Sequence, residues 1–419
     1  MKPQSLSRWF VLSLCTVTIL TAADWPQYRG PNSDGSTPEK IIAPWPTEGP
    51  RVVWKAPLGP SFSSFAVSDG RAFCFIQRAV DGQDQELALA LDANTGKELW
   101  AVPLGKPTYD KQGGDGPRST PTVDGDRVYL LGANQELTCL DAATGKQIWQ
   151  HDLVSEFGGK VIQWKSAASP ILEGNLIFVN GGGAGQALLA FDKADGKLVW
   201  KGGEDAPTHA SPVLATISGV RQVIFFTQTG LVAAEARTGR ELWRFPFPYS
   251  VSTASSPIVS GDIVYCSAGY GVGVGACRVT KIGDKFEATE LWRQAGKLMN
   301  HWTTPVCRDG YLYGIYGFKE FGTAPLKCVE IATGKEVWSK AGFGSGGGTI
   351  LVGDQILVQG DRGPLVLVDA KPEAYHEVAR AELYGGKCWT MPVVSNGRIY
   401  ARNDKEGFCL DVALKPAGK

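Results

Sequence analysis

Short apolar runs separated by polar turns recur along the whole chain. Examples are residues 72–76, 128–131 and 399–401, and each is followed after a short interval by glycine, asparagine or aspartate. Glycine accounts for 52 of the 419 residues, whereas stretches with the period of an amphipathic helix are scarce. Frequent turns between short apolar runs are typical of β-strands, so the pattern predicts an all-β protein.

The runs belong to a longer repeat that ends in tryptophan. The motif is close to Asp-Ala-x-Thr-Gly-Lys-x-x-Trp and is found at 92–100, 141–149, 192–200, 235–243 and 330–338. Residues 289–292 keep only its end, and Trp54 matches its final strand. Successive tryptophans lie 43 to 51 residues apart, enough for four short strands. Such a period predicts the blades of a β-propeller, with each indole wedged between neighbouring blades.

A second set of repeated positions gives the number of blades. Upstream of each outer strand lies a Ser/Thr-x-Pro-like segment, and its proline column reads Phe65, Pro121, Pro170, Pro212, Pro257, Pro305, Thr349 and Pro392. A turn glycine follows each position, at 70, 125, 174, 219, 261, 310, 353 and 397. Because proline is tolerated at strand starts and on edge strands, these segments are predicted to be eight inner strands beside a central channel.

The two ends of the chain are predicted to join. Two strands follow Pro392 without a tryptophan strand, while Trp54 precedes the first inner strand without a blade of its own. We therefore expect residues 51–57 to complete the last blade, which closes the ring. The prediction is an eight-bladed β-propeller of four-stranded antiparallel blades over residues 51–415, preceded by an N-terminal arm at 24–50. The seventh blade, from Thr349, lacks its tryptophan and is the weakest unit.

Residues 1–23 have the pattern of a secretory signal peptide. Lys2 and Arg8 precede an apolar run from Trp9 to Leu20, and small residues follow. A lipoprotein signal would need a small residue before Cys15, where Leu14 stands. The run is short for a bilayer span and no later stretch is long enough. We therefore expect a secreted or periplasmic protein without a transmembrane segment.

Charge and cysteine content exclude several function classes. Lys plus Arg equal Asp plus Glu at 42 each, so the chain lacks the basic footprint of a nucleic-acid-binding protein. No cysteines are adjacent or spaced as C-x-x-C, which argues against zinc ribbons and thioredoxin-like sites. Cys266 and Cys277 flank a glycine-rich turn and are expected to face each other across one hairpin.

The tryptophan repeats resemble those of the pyrroloquinoline-quinone (PQQ)-like β-propeller family over about residues 51–412. The segment Asp24–Pro31 resembles the leader of a branch of secreted bacterial propellers. The resemblance implies one of two functions. Some members are quinoprotein dehydrogenases that hold PQQ and calcium at the channel mouth. Others, such as the scaffold lipoprotein of the outer-membrane barrel-assembly machinery, bind proteins without a cofactor.

The residues favour a binding protein over an enzyme. Alcohol-oxidising members carry two adjacent cysteines beside the quinone, and this chain has none. Their calcium-binding Glu, Asn and Asp have no identifiable counterparts here. We therefore expect a monomer that binds a small molecule or a protein at the channel mouth, without chemistry. The alternative is a PQQ- and calcium-dependent dehydrogenase of alcohols or sugars, with Arg118, Lys165, His209 and Trp302 gripping the quinone.

The repeat also locates a candidate site. Three residues before the proline column, where the inner strands begin, lie Phe62, Arg118, Ala167, His209, Ala254, Trp302, Gly346 and Trp389. Equivalent strand starts converge on one end of a closed propeller, and aromatic and cationic side chains there suit a planar anion or a sugar. The predicted ligand-binding residues are Phe62, Arg118, Trp164, Lys165, His209, His301, Trp302 and Trp389. The alternative is that these aromatic side chains only plug the channel.

Overall fold

A computed structural model of the chain describes residues 23–110 and 114–414. The predicted signal peptide, apart from Ala23, lies outside the described residues. In the described part, strands dominate and the helix is a single turn-and-a-half, Leu153–Phe157. The carboxylate of Asp152 caps this helix by accepting the backbone N–H groups of Val154 and Ser155.

The strands form eight sheets, each with four antiparallel strands, and these are the blades; the sheet of blade 7 has one further short strand. Blade 1 comprises Ala66–Ser68, Arg71–Val80, Gln83–Asp92 and Glu98–Gly105, and blade 2 comprises Thr122–Asp124, Arg127–Leu131, Glu136–Asp141 and Gln147–Asp152. Blade 3 comprises Ile171–Glu173, Leu176–Asn180, Leu188–Asp192 and Leu198–Gly202, and blade 4 comprises Val213–Ile217, Val220–Thr227, Gly230–Glu235 and Glu241–Pro246. Blade 5 comprises Ile258–Ser260, Ile263–Ala268, Gly273–Ile282 and Lys285–Ala295, and blade 6 comprises Val306–Arg308, Tyr311–Ile315, Leu326–Glu330 and Glu336–Lys340. Blade 7 comprises Gly348–Val352, Gln355–Gln359, Leu365–Asp369 and Glu377–Ala381, and blade 8 comprises Val393–Ser395, Arg398–Arg402, Glu406–Asp411 and Arg51–Pro57. The predicted eight-bladed propeller is confirmed.

The ring closes where the sequence predicts. Arg51–Pro57 pairs antiparallel with Glu406–Asp411, and Trp54 lies opposite Cys409. The N-terminal strand therefore becomes the outermost strand of blade 8. Backbone groups of the last strands are satisfied by the start of the chain, which removes an exposed sheet edge.

Each motif serves as a socket for the tryptophan of the preceding blade. Trp54 donates its indole N–H to the Ala93 carbonyl at 3.0 Å, and Trp100 bonds the Ala142 carbonyl in the same way at 3.1 Å. Four other docking tryptophans also donate to a carbonyl of the next blade. The motif glycine packs against the indole: a Cβ on Gly96 would lie 2.6 Å from Trp54 Cδ2. The glycine thus supplies both a positive φ and the space for the ring.

Trp243 is the exception, and the sequence explains it. Blade 5 joins its third and fourth strands through a tight turn at Gly283 and keeps only the end of the motif. It therefore offers no motif carbonyl to blade 4. Trp243 instead bonds the Gln222 side chain of its own blade at 2.7 Å.

The first part of the N-terminal arm lies inside the channel. Trp25 is fully buried and pairs with Val67 on the inner strand of blade 1. Ser36–Thr37 forms a fifth, parallel strand on the inner edge of blade 7, opposite Leu351 and Val352. The arm thus covers inner strand edges that would otherwise face the channel unpaired.

Two charged side chains fix the arm. The buried guanidinium of Arg29 donates to the backbone carbonyls of Thr304 and Pro305 in blade 6, at 3.2 and 3.0 Å. Glu39 accepts the backbone N–H groups of Asn396 and Gly397, which form the inner turn of blade 8, both at 2.9 Å. The arm is therefore bonded to the two blades that flank blade 7.

The eight cysteines of the described part are free thiols. The sequence led us to expect Cys266 and Cys277 to face each other across the hairpin. This expectation is wrong, because the two residues are offset by two positions in the pairing of the strands. Cys266 lies opposite Gly275, and Cys277 lies opposite Val264.

Candidate functional site

One cavity of about 570 Å³ occupies the end of the channel where the inner strands begin. Strand direction alternates within a blade, so the loops between second and third strands reach the same end. All eight positions of the column that precedes the prolines line this cavity, namely Phe62, Arg118, Ala167, His209, Ala254, Trp302, Gly346 and Trp389. We call this cavity the cup.

The floor of the cup is made by the N-terminal arm. Tyr28 lines the cavity. It lies in the chain between Trp25 and Arg29, which are both buried in the channel. The arm also bonds blades 1, 6, 7 and 8, as described above. The cup is therefore reached from the mouth, while the arm fills the channel beneath it.

Hydroxyl groups line the lower wall. Eight serine and threonine residues contact the cavity: Thr120, Ser169, Ser211, Ser252, Thr303, Thr304, Thr349 and Thr390. Several of these hydroxyl groups link neighbouring blades, because each accepts a hydrogen bond from a backbone N–H of the preceding blade. The bonds run from Ser64 to Thr120 at 3.1 Å, from Thr120 to Ser169 at 2.9 Å, from Ser169 to Ser211 at 2.8 Å and from Ser256 to Thr304 at 2.9 Å. These residues stand just before the proline column, which accounts for the Ser/Thr preference there.

Aromatic side chains form a collar around the upper wall. Trp302, Phe321 and Trp389 stack on one another, with ring centroids 5.0 to 5.8 Å apart and planes within 19° of parallel. Across the cup, Trp164 stacks on Tyr270 at 5.8 Å and 14°. These are the offset arrangements that aromatic pairs favour, so the collar holds its own shape.

Three cations stand at the collar. Arg118 lies 5.1 Å from the Phe62 ring centroid, and its guanidinium is 3.4 Å from Asp110. Lys387 Nζ lies 4.0 Å from the Trp389 ring centroid, and Lys319 Nζ lies 5.3 Å from that of Tyr270. Within the described residues, neither lysine has a carboxylate at salt-bridge distance. Burial lowers the pKa of Lys387 and Arg118 adds to the effect, whereas the charges of Asp404, Asp115 and Asp110 act in the opposite direction. The collar thus presents two ammonium groups that no carboxylate of the described residues pairs at salt-bridge distance.

The two histidines of the predicted site are neutral at ordinary pH. Burial lowers the pKa of His209 to about 4, although a hydrogen bond to the Gln163 carbonyl at 2.8 Å raises the pKa in part. Burial likewise lowers the pKa of His301 to about 3, with the His209 and Lys319 charges contributing. Ser252 fixes His209 through a bond of 3.0 Å to Nδ1. Neither histidine therefore supplies positive charge to the cup.

Six of the eight predicted site residues line the cup, and Lys165 and His301 do not. His301 precedes Trp302 in a bend, and its side chain is buried against the rings of Tyr270 and Phe318. Its ring lies behind the collar, 4.7 Å from the Trp302 ring centroid. Lys165 follows Trp164 in a positive-φ turn and donates to Asn134 at 3.0 Å, outside the cup.

Among the aromatic and charged residues of the wall, the structure adds four that the sequence prediction omitted: Tyr28, Tyr270, Lys319 and Phe321. Tyr270 follows the second strand of blade 5, and Lys319 and Phe321 follow that of blade 6. Counting loops between second and third strands would have found these three. Tyr28 carries no such signal, because its position depends on the path of the arm.

The cup does not fit PQQ held by calcium. None of its lining residues is an aspartate or glutamate, although calcium takes oxygen ligands that include carboxylates. Among the residues described, no group of three or more His, Cys, Asp or Glu side chains could hold a metal ion. The stacked collar also leaves no slot between parallel rings for a flat cofactor.

No helix in the described ranges is long and apolar enough to cross a membrane.

Comparison with known proteins identifies the family. The model of the family described as "Outer membrane protein assembly factor BamB" matches residues 83–316, more than half of the chain. The chain belongs to this family. Within it, the chain is 25% identical over 269 residues to BamB of Burkholderia pseudomallei (strain K96243), covering 63% of this chain and 64% of that protein. This chain thus spans less than two thirds of that relative's length.

Two further similarities show how widely the fold is shared. The quinoprotein alcohol dehydrogenase PedH of Pseudomonas putida (strain KT2440) is 29% identical over 178 residues, 40% of this chain and 29% of that enzyme. The crystal structure of BamB from Moraxella catarrhalis superimposes with a TM-score of 0.58 at 15% identity, covering 88% of this chain and 99% of that one. The propeller is thus common to assembly factors and quinoprotein enzymes, and the fold alone does not choose between them.

Proposed function

We propose that this BamB-family propeller is a non-catalytic binding protein that captures its ligand in the cup. The observation that carries the proposal is the composition of the site. It has an aromatic collar, a lower wall lined with hydroxyl groups, and two lysines, Lys319 in the wall and Lys387 beside it, that no carboxylate of the described residues pairs at salt-bridge distance. Concave sites that combine aromatic side chains with a few placed polar groups are typical of ligand binding. The ligand is a small molecule or a segment of a partner protein that enters the mouth.

The absence of catalytic groups from the wall supports binding over chemistry. General acid–base catalysis needs a group whose pKa lies near the working pH. His209, the histidine on the wall, has its pKa lowered to about 4 and has both ring nitrogens engaged, with Ser252 and Gln163. The wall offers no carboxylate to replace it.

We further propose that the chain works outside the cytoplasm, in the periplasm or as a secreted protein, and as a monomer. The signal-peptide pattern at residues 1–23 supports the location, as does membership of a family described by outer membrane protein assembly. A partner protein at the mouth is the corresponding expectation from that family.

The enzyme alternative gives the sharpest test. The full mature protein would be titrated with PQQ in the presence of calcium and then assayed for dye reduction with a panel of alcohols and sugars. We expect no saturable PQQ binding and no turnover. Saturable PQQ binding with substrate-dependent dye reduction would replace the proposed function with that of a quinoprotein dehydrogenase.

A further inference from the structure

We propose that the ligand of the cup is an acidic oligosaccharide, namely a short chain of uronic acid residues. This inference rests on the proposed function, because it names the ligand class of the same site. Three independent features of the wall carry it: its unsatisfied hydrogen-bond donors, its charge and the state of its aromatic faces.

The lower wall is rich in hydrogen-bond donors. The hydroxyls of Thr120, Ser169, Ser211 and Thr304 each accept a backbone N–H from the preceding blade. Each retains its own O–H, and within the described residues none of these four donates to another group. Four hydroxyl donors therefore converge on one cavity, where they match a ligand that carries many oxygen acceptors.

The charge of the wall selects an anion. Lys319 lines the cup and Lys387 lies beside it over the Trp389 ring, and no carboxylate of the described residues is within salt-bridge distance of either lysine. The surface charges elsewhere are commonly paired, as in Arg78 with Glu98 and Lys327 with Glu336. Carboxylates of a ligand would form charge-assisted hydrogen bonds with these two ammonium groups.

The collar favours a saccharide over a flat aromatic anion. Trp302, Phe321 and Trp389 already stack on each other, as do Trp164 and Tyr270, so a planar ring cannot insert between the members of either stack. The half-buried edges and outer faces that remain suit a puckered ring, which packs its C–H groups on one side and presents oxygens on the other. The cavity of about 570 Å³ lies within the range of roughly 300–1,000 Å³ typical of small-molecule sites.

The test is calorimetric titration of the full mature protein with matched probes. Tri-galacturonate and tri-mannuronate carry both features, galactotriose has the sugar rings without charge, and tri-glutamate has the charge without sugar rings. We expect at least one uronate trisaccharide to bind at least about tenfold more tightly than galactotriose and tri-glutamate, since each lost charged contact costs about a factor of ten.

Charge-removing variants locate the binding. Lys319→Met with Lys387→Met should weaken uronate binding at least about tenfold and leave galactotriose unchanged. Lys281→Met is the matched control, since Lys281 also lies over an aromatic ring, Phe286, but on the outer hairpin of blade 5. This control should bind like the wild type.

Several outcomes would overturn the inference. They are binding of neither uronate, equal binding of galactotriose or tri-glutamate, and uronate binding that survives loss of both lysines. If these occur while PQQ gives no turnover, the saccharide assignment fails and the binding function stands. Turnover with PQQ would instead remove the proposed function itself.

Discussion

A matched pair of glycines in blade 1 isolates the contribution of tryptophan docking to stability. Gly70 and Gly96 both have φ of +71° and both lie in turns. A Cβ added to Gly70 meets nothing within 4 Å, whereas a Cβ on Gly96 would lie 2.6 Å from Cδ2 of Trp54. Replacing each by alanine therefore imposes the same backbone strain, and the second replacement also displaces the indole that closes the ring.

The expected difference follows from these contacts. An alanine in the left-handed region costs roughly 1–2 kcal/mol, so Gly70→Ala should lower the free energy of unfolding by that amount. Gly96→Ala adds overpacking of about 1–3 kcal/mol and weakens the Trp54 bond to the Ala93 carbonyl, worth about 1 kcal/mol. The Gly96 variant should thus be about 2–4 kcal/mol less stable than the Gly70 variant.

Urea unfolding followed by far-ultraviolet circular dichroism measures both variants against the wild type. The transition midpoint of Gly96→Ala should fall clearly below that of Gly70→Ala, with similar slopes. Equal midpoints would refute the view that the motif glycine is a socket for the indole. They would leave only its role in the turn.

Three further predictions concern single buried groups. Arg29→Met should lower the free energy of unfolding by about 2–4 kcal/mol, because the carbonyls of Thr304 and Pro305 lose their hydrogen-bond donor. The rate of amide hydrogen exchange should rise in residues 24–40, and an unchanged rate there would contradict the anchoring role. Burial raises the pKa of Glu86 from 4.5 to about 7, so between these pH values the folded state keeps a proton that the unfolded chain releases. The free energy of unfolding should therefore fall by about 3 kcal/mol as the pH rises from 4.5 to about 7. Glu86→Gln should abolish this fall, and a variant with the same pH profile as the wild type would contradict the assignment. Nitrogen-detected NMR should find His209 and His301 neutral down to about pH 5, and protonation of either near its ordinary value would contradict their burial.

The propeller is readable from the sequence because its energetic units are local and repeated. Each motif contains its own turn, glycine socket and tryptophan, so one repeat predicts the next, and the unpaired Trp54 strand predicts the closure. The column through Phe62, Arg118 and Trp389 is recoverable for the same reason: repeat position determines where a side chain points.

The parts that escaped prediction depend on contacts outside the repeat. The His301 ring is buried behind the collar by contacts with Tyr270, Trp302 and Phe318, and a positive φ at Trp164 and Lys165 breaks the column locally. The path of the arm depends on bonds such as that between Arg29 and Thr304, 275 residues apart, which no local pattern encodes. Tyr28 therefore became visible as the floor of the cup only in the structure.

Blocking the cup tests most directly whether the chain works by binding there. Ala254 lines the cavity, so Ala254→Trp fills it without removing a bonded side chain, and Ala288→Trp on the outer strand of blade 5 is the control. Each full-length mature protein would be incubated with a soluble extract of small molecules, washed, denatured and analysed by mass spectrometry. We expect compounds that are retained by the wild type and by Ala288→Trp but lost with Ala254→Trp. Retention of the same compounds by all three proteins would contradict binding in the cup.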